Sequence, residues 1–296
     1  MKDLNLIALM DRFHSDEKCL DVLEDLRWPS GVACIRCGDT EVDPVRRGRG
    51  VWMCRGCRRQ FSVTAGTIMH RTRLPLRYWF VAIYLMCQSK KGMSAHQLHR
   101  MLGVQYKTAW FLCHRIREAM GNDPFTGPTL FGIVEVDETM VGGRARGKDW
   151  MDNKHWVAGA IERGGQVRLR RIPNVRKKTI REFVDETISP DAEAIYTDEL
   201  RSYIGIDTDT RRHETVRHSA DEWVLGDVHT NSVEGVWSLF KRSIVGSFHK
   251  MSAKHMDRYL EELEWRFNNR GNPNIFLDTL RRIVNTDPLE YRVLTA

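Results

Sequence analysis

Apolar positions recur along this chain with two different periods, and the change of period divides it. Over Ser15–Leu26 (SDEKCLDVLEDL), Cys19, Leu20, Val22, Leu23 and Leu26 recur at helical spacing behind a Ser cap and two acids, and Pro29-Ser30-Gly31 ends the helix. Residues 75–120 predict three helices: Leu76–Ser89, apolar enough to be central, then Ser94–Leu102 and Tyr106–Met120. The last two, separated by a turn containing Gly103, make a helix-turn-helix pattern. Gly121–Pro128 (GNDPFTGP) is rich in turn formers and is the clearest linker.

Beyond the linker the period falls to two. Phe131–Gly143 (FGIVEVDETMVGG) predicts a strand, with β-branched Ile133, Val134 and Val136 and a closing Gly pair. His155–Glu162 and Val167–Ile172 are β-rich runs joined by Arg163-Gly164-Gly165-Gln166, a hairpin signal. Lys177–Ile188 is amphipathic and helical, and Ala192–Thr197 is a short strand running into Asp198-Glu199. Leu200–Ile206 suits a short helix, His213–His218 a strand, and HTNSVEGVWSLFKR, from His229 to Arg242, a helix. Three strands, a helix and a strand, in that order, resemble the ribonuclease H fold.

Composition narrows the function classes. The 296 residues are 42% hydrophobic and 29% charged, ample for a folded core. A net charge of +7 and a pI near 9.1 favour a polyanionic partner. The first residues lack a basic start before a long apolar core, so no signal peptide is expected. The longest apolar run, Tyr78–Cys87, is too short to span a bilayer, so no membrane partner is expected either. Seven cysteines, an odd number, point away from a disulfide framework and towards a reducing cytoplasm.

Four of those cysteines form two knuckles, Cys34-Ile-Arg-Cys37 and Cys54-Arg-Gly-Cys57. Two such pairs at this separation match a zinc ribbon, in which four thiolates hold one structural Zn2+ with no open coordination position. Cys19, Cys87 and Cys113 sit in apolar helical patterns and read as core. Around the knuckles Arg46, Arg47, Arg49, Arg55, Arg58 and Arg59 accompany Trp52 and Phe61, a composition suited to phosphate contact and stacking on DNA. The second helix of the helix-turn-helix would offer Gln105, Tyr106, Lys107 and Thr108 to a major groove, and Arg115 or Arg117 to the backbone.

The chemistry-bearing residues lie in the second half. Alternation along Phe131–Gly143 puts Glu135 and Asp137 on one face and Val134 and Val136 on the other. A carboxylate within a sheet needs a cation or hydrogen-bond donors, which makes Asp137 a candidate Mg2+ ligand; the competing role is a solvated face on an edge strand. Asp198 ends the fourth strand and Glu234 lies on the following helix. Three acids on separate elements suit phosphodiester chemistry, where two Mg2+ about 3.5–4 Å apart stabilise attacking and leaving oxygens. Each acid also has a structural alternative: Asp198 as a helix cap, and Glu234 in a capping box with Asn231, itself a rival ligand. Lys241, seven residues beyond Glu234 on the same helical face, and Arg242 are candidate phosphate contacts.

The Cys pairs, the segment Arg58–Thr67 (RRQFSVTAGT), VEVDET, YTDE, HTNSVEGVWSLFKR and Tyr259–Arg270 (YLEELEWRFNNR) occur in the order found in DDE-class insertion-sequence transposases with a zinc ribbon before an integrase-like domain. The chain resembles that family over roughly residues 15–270, apart from Ile35, where the family often has proline. The resemblance implies a multi-domain α/β protein. Its parts are an N-terminal helical segment (1–30), zinc ribbon (31–70), helix-turn-helix-like segment (71–122), ribonuclease H-like mixed sheet flanked by helices (129–275) and helical tail (276–296). It also implies Asp137, Asp198 and Glu234 as catalytic Mg2+ ligands, with Mn2+ able to substitute, and Mg2+-dependent cleavage of element ends followed by strand transfer. The implied partners are terminal inverted repeats, target DNA and further copies of the chain, with no small-molecule substrate, at the nucleoid of a prokaryotic-type cell. The competing class is a non-enzymatic DNA-binding regulator built on the same ribbon and helix-turn-helix, which the complete acid set disfavours.

Overall fold

The computed structural model describes residues 4–46, 50–121, 130–142, 154–216 and 227–296, with Arg46 described by its backbone alone. The chain divides into two units, Met1–Asn122 with Gly271–Ala296 and Asp123–Arg270.

The first unit begins with helices α1 (Leu6–Arg12) and α2 (Asp16–Arg27), whose starts are set by side chains: Asn5 accepts from the Ala8 N–H and Ser15 from the Lys18 N–H. Strands β1 (Val42–Arg46), β2 (Val51–Cys54) and β3 (Gln60–Ser62) form an antiparallel sheet around a small core of Cys34, Cys54 and Phe61. Pro44, which has no N–H to donate, sits on the edge strand β1, where the register shifts before Arg46. The Trp52 indole donates to Glu24 of α2 at 2.9 Å, so the ribbon is tied to the preceding helix.

Three further helices follow: α3 (Leu76–Gln88), α4 (Ala95–Leu102) and α5 (Tyr106–Gly121). Ser94 caps α4, and Gly103 closes it with φ +66°, a left-handed conformation that glycine adopts without a Cβ penalty. The apolar α3 is central: Trp79, Phe80, Ala82, Ile83 and Met86 are all buried. The C-terminal residues, expected as a tail, form α9 (Ile275–Asn285) and α10 (Tyr291–Thr295) and complete this core. Phe276 of α9 lies 5.8 Å from Phe80 and 6.2 Å from Phe13, ring centre to ring centre.

The second unit is a five-stranded sheet in the order β6-β5-β4-β7-β8. β4 (Ile133–Val141), β5 (His155–Glu162) and β6 (Val167–Ile172) pair antiparallel; β7 (Ala194–Thr197) runs parallel to β4, and β8 (Arg212–Thr215) parallel to β7. Such a mixed sheet needs a crossover to bring β7 beside β4, and α6 (Lys177–Thr187) provides it. Alternation sorts the two faces. Val134, Val136, Ala158 and Ala160 pack with Ile180, Phe183 and Val184 of α6. Val157, Ile161 and Val167 pack with Val236, Trp237 and Phe240 of α7 (Asn231–Ser243) and Leu260 and Leu263 of α8 (Met256–Asn268). This is the ribonuclease H-like arrangement, with helices on both faces. The short helix expected at Leu200–Ile206 contracts to a single 3-10 turn, Arg201–Tyr203, and the strand expected at His213–His218 begins at Arg212, its last two residues lying outside the described set. Among the described residues no helix is long and apolar enough to cross a membrane.

Candidate active site and metal centre

In the ribbon the four cysteines converge. The sulfurs of Cys34, Cys37, Cys54 and Cys57 all lie within 4.8 Å of one another, with 3.5 Å between Cys34 and Cys57 and between Cys37 and Cys54. Zn–S bonds of about 2.3 Å in a tetrahedron place sulfurs just under 4 Å apart, so the set fits one Zn2+ with all four positions filled by protein. Backbone N–H groups support the thiolates: Arg36 points its N–H at Cys34 and Cys57 at Cys54, each at 3.4 Å. Donation from the Cys37 backbone, foremost, pulls the Cys34 thiol down to about 6. The metal is structural.

The ribbon's basic residues divide. Arg58 and Arg59 are exposed, Arg58 in a left-handed conformation (φ +55°). Arg55 is held by Asp43 through two bonds of 2.8 and 2.6 Å. Arg47 and Arg49 lie outside the described residues, as does the Arg46 side chain. On α5, Lys107 and Thr108 are exposed, and the Lys107 ammonium sits 4.5 Å from the Tyr291 ring centre. Arg115 and Arg117 do not extend outward as a backbone contact from a helix surface would require. They are 5% and 1% exposed because α5 is buried on every side over Leu112–Arg117.

The acids belong to the second unit. In the register β4 takes against β7, Glu135 stands beside Tyr196; two residues further on, Asp137 faces the position of Asp198 just past the strand end. Asp198 also caps the following turn, its Oδ1 accepting from the Leu200 N–H at 3.0 Å. Glu234 lies in the first turn of α7 and is exposed; Trp237, three residues along, covers the sheet face and donates its Nε1–H to Asp137 Oδ2 at 2.8 Å. Burial, first, and then the charges of Asp198 and Glu234 raise the Asp137 carboxyl to about 6, against the lowering effect of the Trp237 bond. The three acids therefore share one electrostatic site. Glu234's own partner is the Thr230 hydroxyl, which donates at 3.2 Å; Asn231, its expected capping partner, is the first residue of the helix and is exposed.

Four supporting residues were not singled out as such from the sequence. Glu135, fully buried on the face it shares with Asp137, accepts from the N–H groups of Ser232 (2.7 Å) and Val233 (3.2 Å) and from the Ser232 hydroxyl (2.9 Å). A carboxylate there satisfies the open N–H groups at the start of α7 and complements its dipole. Arg163, in the hairpin turn, donates to Glu135 at 2.9 Å and to the His229 carbonyl at 3.3 Å, so the buried charge is compensated. Gly159, opposite Asp137 on β5, leaves room for the Trp237 ring: a Cβ there would lie 2.6 Å from its Cη2. Finally Glu138, on the other face, accepts from the buried Tyr203 hydroxyl; burial, then Asp137 and Asp198, lift its carboxyl to about 7. The nearest sequence signal for these was the Glu135–Asp137 alternation.

Past the acids, α7 continues into a π-helical turn, Ile244–Phe248, and a cavity of about 790 Å³ opens there. Lys241, His155, His249, Lys250 and Met251 line it, and no Asp or Glu does. Arg242, also exposed, folds back onto the Ser238 carbonyl at 3.1 Å.

Comparison with known proteins agrees with both halves. Residues 129–268 match the ISXO2-like transposase domain and residues 14–60 the transposase zinc-ribbon domain. The chain is 28% identical over 253 residues to an uncharacterized protein in transposable element ISH50 of Halobacterium salinarum, covering 78% of this chain and 83% of that protein. It is 33% identical over 98 residues to an uncharacterized transposase-like protein of Haemophilus influenzae, covering 33% of this chain and 77% of that one. Ribbon, mixed sheet and both matches converge: this chain belongs to the DDE transposases of insertion sequences, in the group that joins a zinc ribbon to an ISXO2-like catalytic domain.

Proposed function

We propose that the protein binds the ends of its insertion sequence and catalyses Mg2+-dependent DNA cleavage and strand transfer, with Asp137, Asp198 and Glu234 as the catalytic carboxylates. The observation that carries this reading is the convergence of acids from separate elements on the Asp137 face: Asp137 faces the position of Asp198 and is bound by Trp237 of the helix that carries Glu234, and burial, with the charges of those two acids behind it, raises its carboxyl to about 6.

The donor set suits Mg2+. Among the described residues the four cysteines are the ready-made ligand cluster, and the acids are not gathered so tightly. Mg2+ takes one or two carboxylates and completes its shell with waters and substrate phosphate, so the adjacent Asp137 and Asp198, with Glu234 beside them, offer what two ions need. When bound, the ions stabilise the charge that develops on the attacking and leaving oxygens, first of water and then of the freed 3′-hydroxyl.

The chain's own residues set the geometry. Trp237 fixes the Asp137 carboxylate, and Glu135 with Arg163 anchors the first turn of α7, where Glu234 sits. Lys241 and Arg242 contact phosphates near the acids; Arg46, Arg47, Arg49, Arg58, Arg59, Lys107 and Arg115 serve the binding of ends. Two ends have to be joined in one reaction, so the active form is an assembly of at least two copies on DNA.

The test uses oligonucleotides from the DNA flanking the gene, purified protein and Mg2+ or Mn2+. Wild type should nick the end and join it to plasmid, while Asp137→Ala, Asp198→Ala and Glu234→Ala should bind ends without doing either. Cleavage that survives both aspartate substitutions would refute the site; binding with no cleavage by wild type would point to a regulator.

A further inference from the structure

Arg115 is an unusually placed charge in the first unit. It is 5% exposed, with its guanidinium between two rings, 4.7 Å from the centre of Trp79 and 5.0 Å from that of Phe111. Its Nη2 donates to the His70 carbonyl at 3.0 Å, but its buried Nε has no hydrogen-bond partner, and among the described residues no carboxylate pairs with it. Burial alone draws it down to about 10, so it stays charged at neutral pH. A buried cation with no counter-ion is costly, and the cost is relieved when an anion comes to it.

A cavity of about 180 Å³ lies beside it. Arg71, Thr72, Arg73, Thr108 and Arg115 are its polar lining, and no Asp or Glu contributes. Arg71 and Arg73 are exposed, and Arg71 holds a left-handed conformation (φ +53°) that a residue with a side chain adopts only where its surroundings impose it. Thr72 is fixed by the Trp79 indole, which donates to its hydroxyl at 3.0 Å. Thr108 lies in the exposed opening turn of α5, two turns before Arg115 on the same face.

We propose that this cavity is a receptor for one backbone phosphate of DNA, with Arg115 as the buried counter-charge and Arg71, Arg73 and Thr108 at its mouth. The anion could come as free phosphate or as a phosphodiester, and the position of Thr108 decides between them. It belongs to the helix that the helix-turn-helix offers to a major groove, so a phosphate seated here lies on a strand flanking that groove and sets the helix in register. Arg115 does not reach out to DNA; the phosphate comes in to it. The inference rests on the reading of DNA as the partner.

The experiment uses the full-length, zinc-loaded protein and a duplex carrying the element end, scanned with single methylphosphonate substitutions. One position should weaken wild-type binding and be silent in Arg73→Ala. That variant, like Arg71→Ala, should lower the slope of log affinity against log salt by about one. Both substitutions fall on exposed residues, so folding is not at stake, and Arg115→Lys, which keeps the charge but loses the fork, should shift the same phosphate's contribution. Unchanged slopes, or a loss with no single phosphate behind it, would overturn the proposal. So would an effect of inorganic phosphate on thermal stability, lost in Arg73→Ala, without any sensitive position on DNA. If the slope and the sensitive phosphate are present but wild type never cleaves ends, the receptor stands and the transposition reading fails.

Discussion

Replacing Gly159 with alanine tests how the face that carries Asp137 is assembled. The new methyl would lie 2.6 Å from Cη2 and 2.7 Å from Cζ2 of Trp237, and 3.1 Å from a Leu169 methyl. Carbon atoms in contact sit about 3.5–4.0 Å apart, so the indole has to withdraw by about 1 Å. It has little room, being 5% exposed and packed in the α7–α8 core. Overpacking of this kind costs about 1–3 kcal/mol. The same ring holds Asp137 through a 2.8 Å bond, which a shift of that size stretches beyond hydrogen-bond range; bonds to charged groups contribute about 1.5–3 kcal/mol. Part of the two costs overlaps, so we expect Gly159→Ala to destabilise the protein by about 3 kcal/mol in urea unfolding followed by circular dichroism. End cleavage should fall by as much as ~100-fold, since a misplacement near 1 Å costs that much. The double-mutant cycle with Trp237→Leu is decisive. With the ring gone the methyl meets little, and the pair should couple by about 2 kcal/mol. Additivity within about 0.5 kcal/mol would show that the glycine does not act through Trp237.

Glu135→Ala should cost about 3–5 kcal/mol, because it strands the Arg163 guanidinium and reopens the N–H groups at the start of α7; unfolding of the full chain reads it. Asp137→Asn should stabilise the metal-free protein at high pH. With its carboxyl raised from an ordinary 3.8 to about 6, the favourable contribution of Asp137 is fully present below pH 4 and lost as pH rises through 6. The melting temperature of the zinc-loaded protein in buffer free of Mg2+ and Mn2+ should therefore rise at pH 8, by at most about 3 kcal/mol of stability, and not at pH 4; a gain independent of pH would refute the assignment. Zinc removal, or Cys54→Ser, should unfold the ribbon and abolish a stoichiometric zinc content measured by mass spectrometry, while cleavage-site metal binding by the second unit persists.

Local chemistry was readable from the chain, and long-range placement was not. Ser15 announced its helix because an N-cap is satisfied within three residues, and the cysteine knuckles announced the ribbon because a tetrahedral metal dictates their spacing. Strand alternation assigned Glu135 and Asp137 a common face, but what that face meets is an element a hundred positions away: Trp237 on α7. Nothing in a Gly-Ala dipeptide of β5 says that an indole lies over it. Arg163 sat in a hairpin turn, where arginine is ordinarily solvated, and its role follows only from the sheet bringing Glu135 beneath it. Arg115 differs in burial, not in charge. Helical periodicity treats arginine as surface, whereas its guanidinium is packed between Trp79 and Phe111.

The return of α9 to the first unit has a consequence for how the protein is made. Its segment Gly271–Ala296 supplies Phe276 to a core whose other walls were synthesised before the second unit began. On the ribosome the acid-bearing sheet, a single continuous stretch, is free to fold while the helical unit that precedes it still waits for its last wall. The order of completion can thus run opposite to chain order: the acid-bearing unit needs nothing beyond Arg270, whereas the unit with the ribbon cannot close before Gly271–Ala296 is made. A nascent or prematurely terminated chain would carry the acids without a finished first unit.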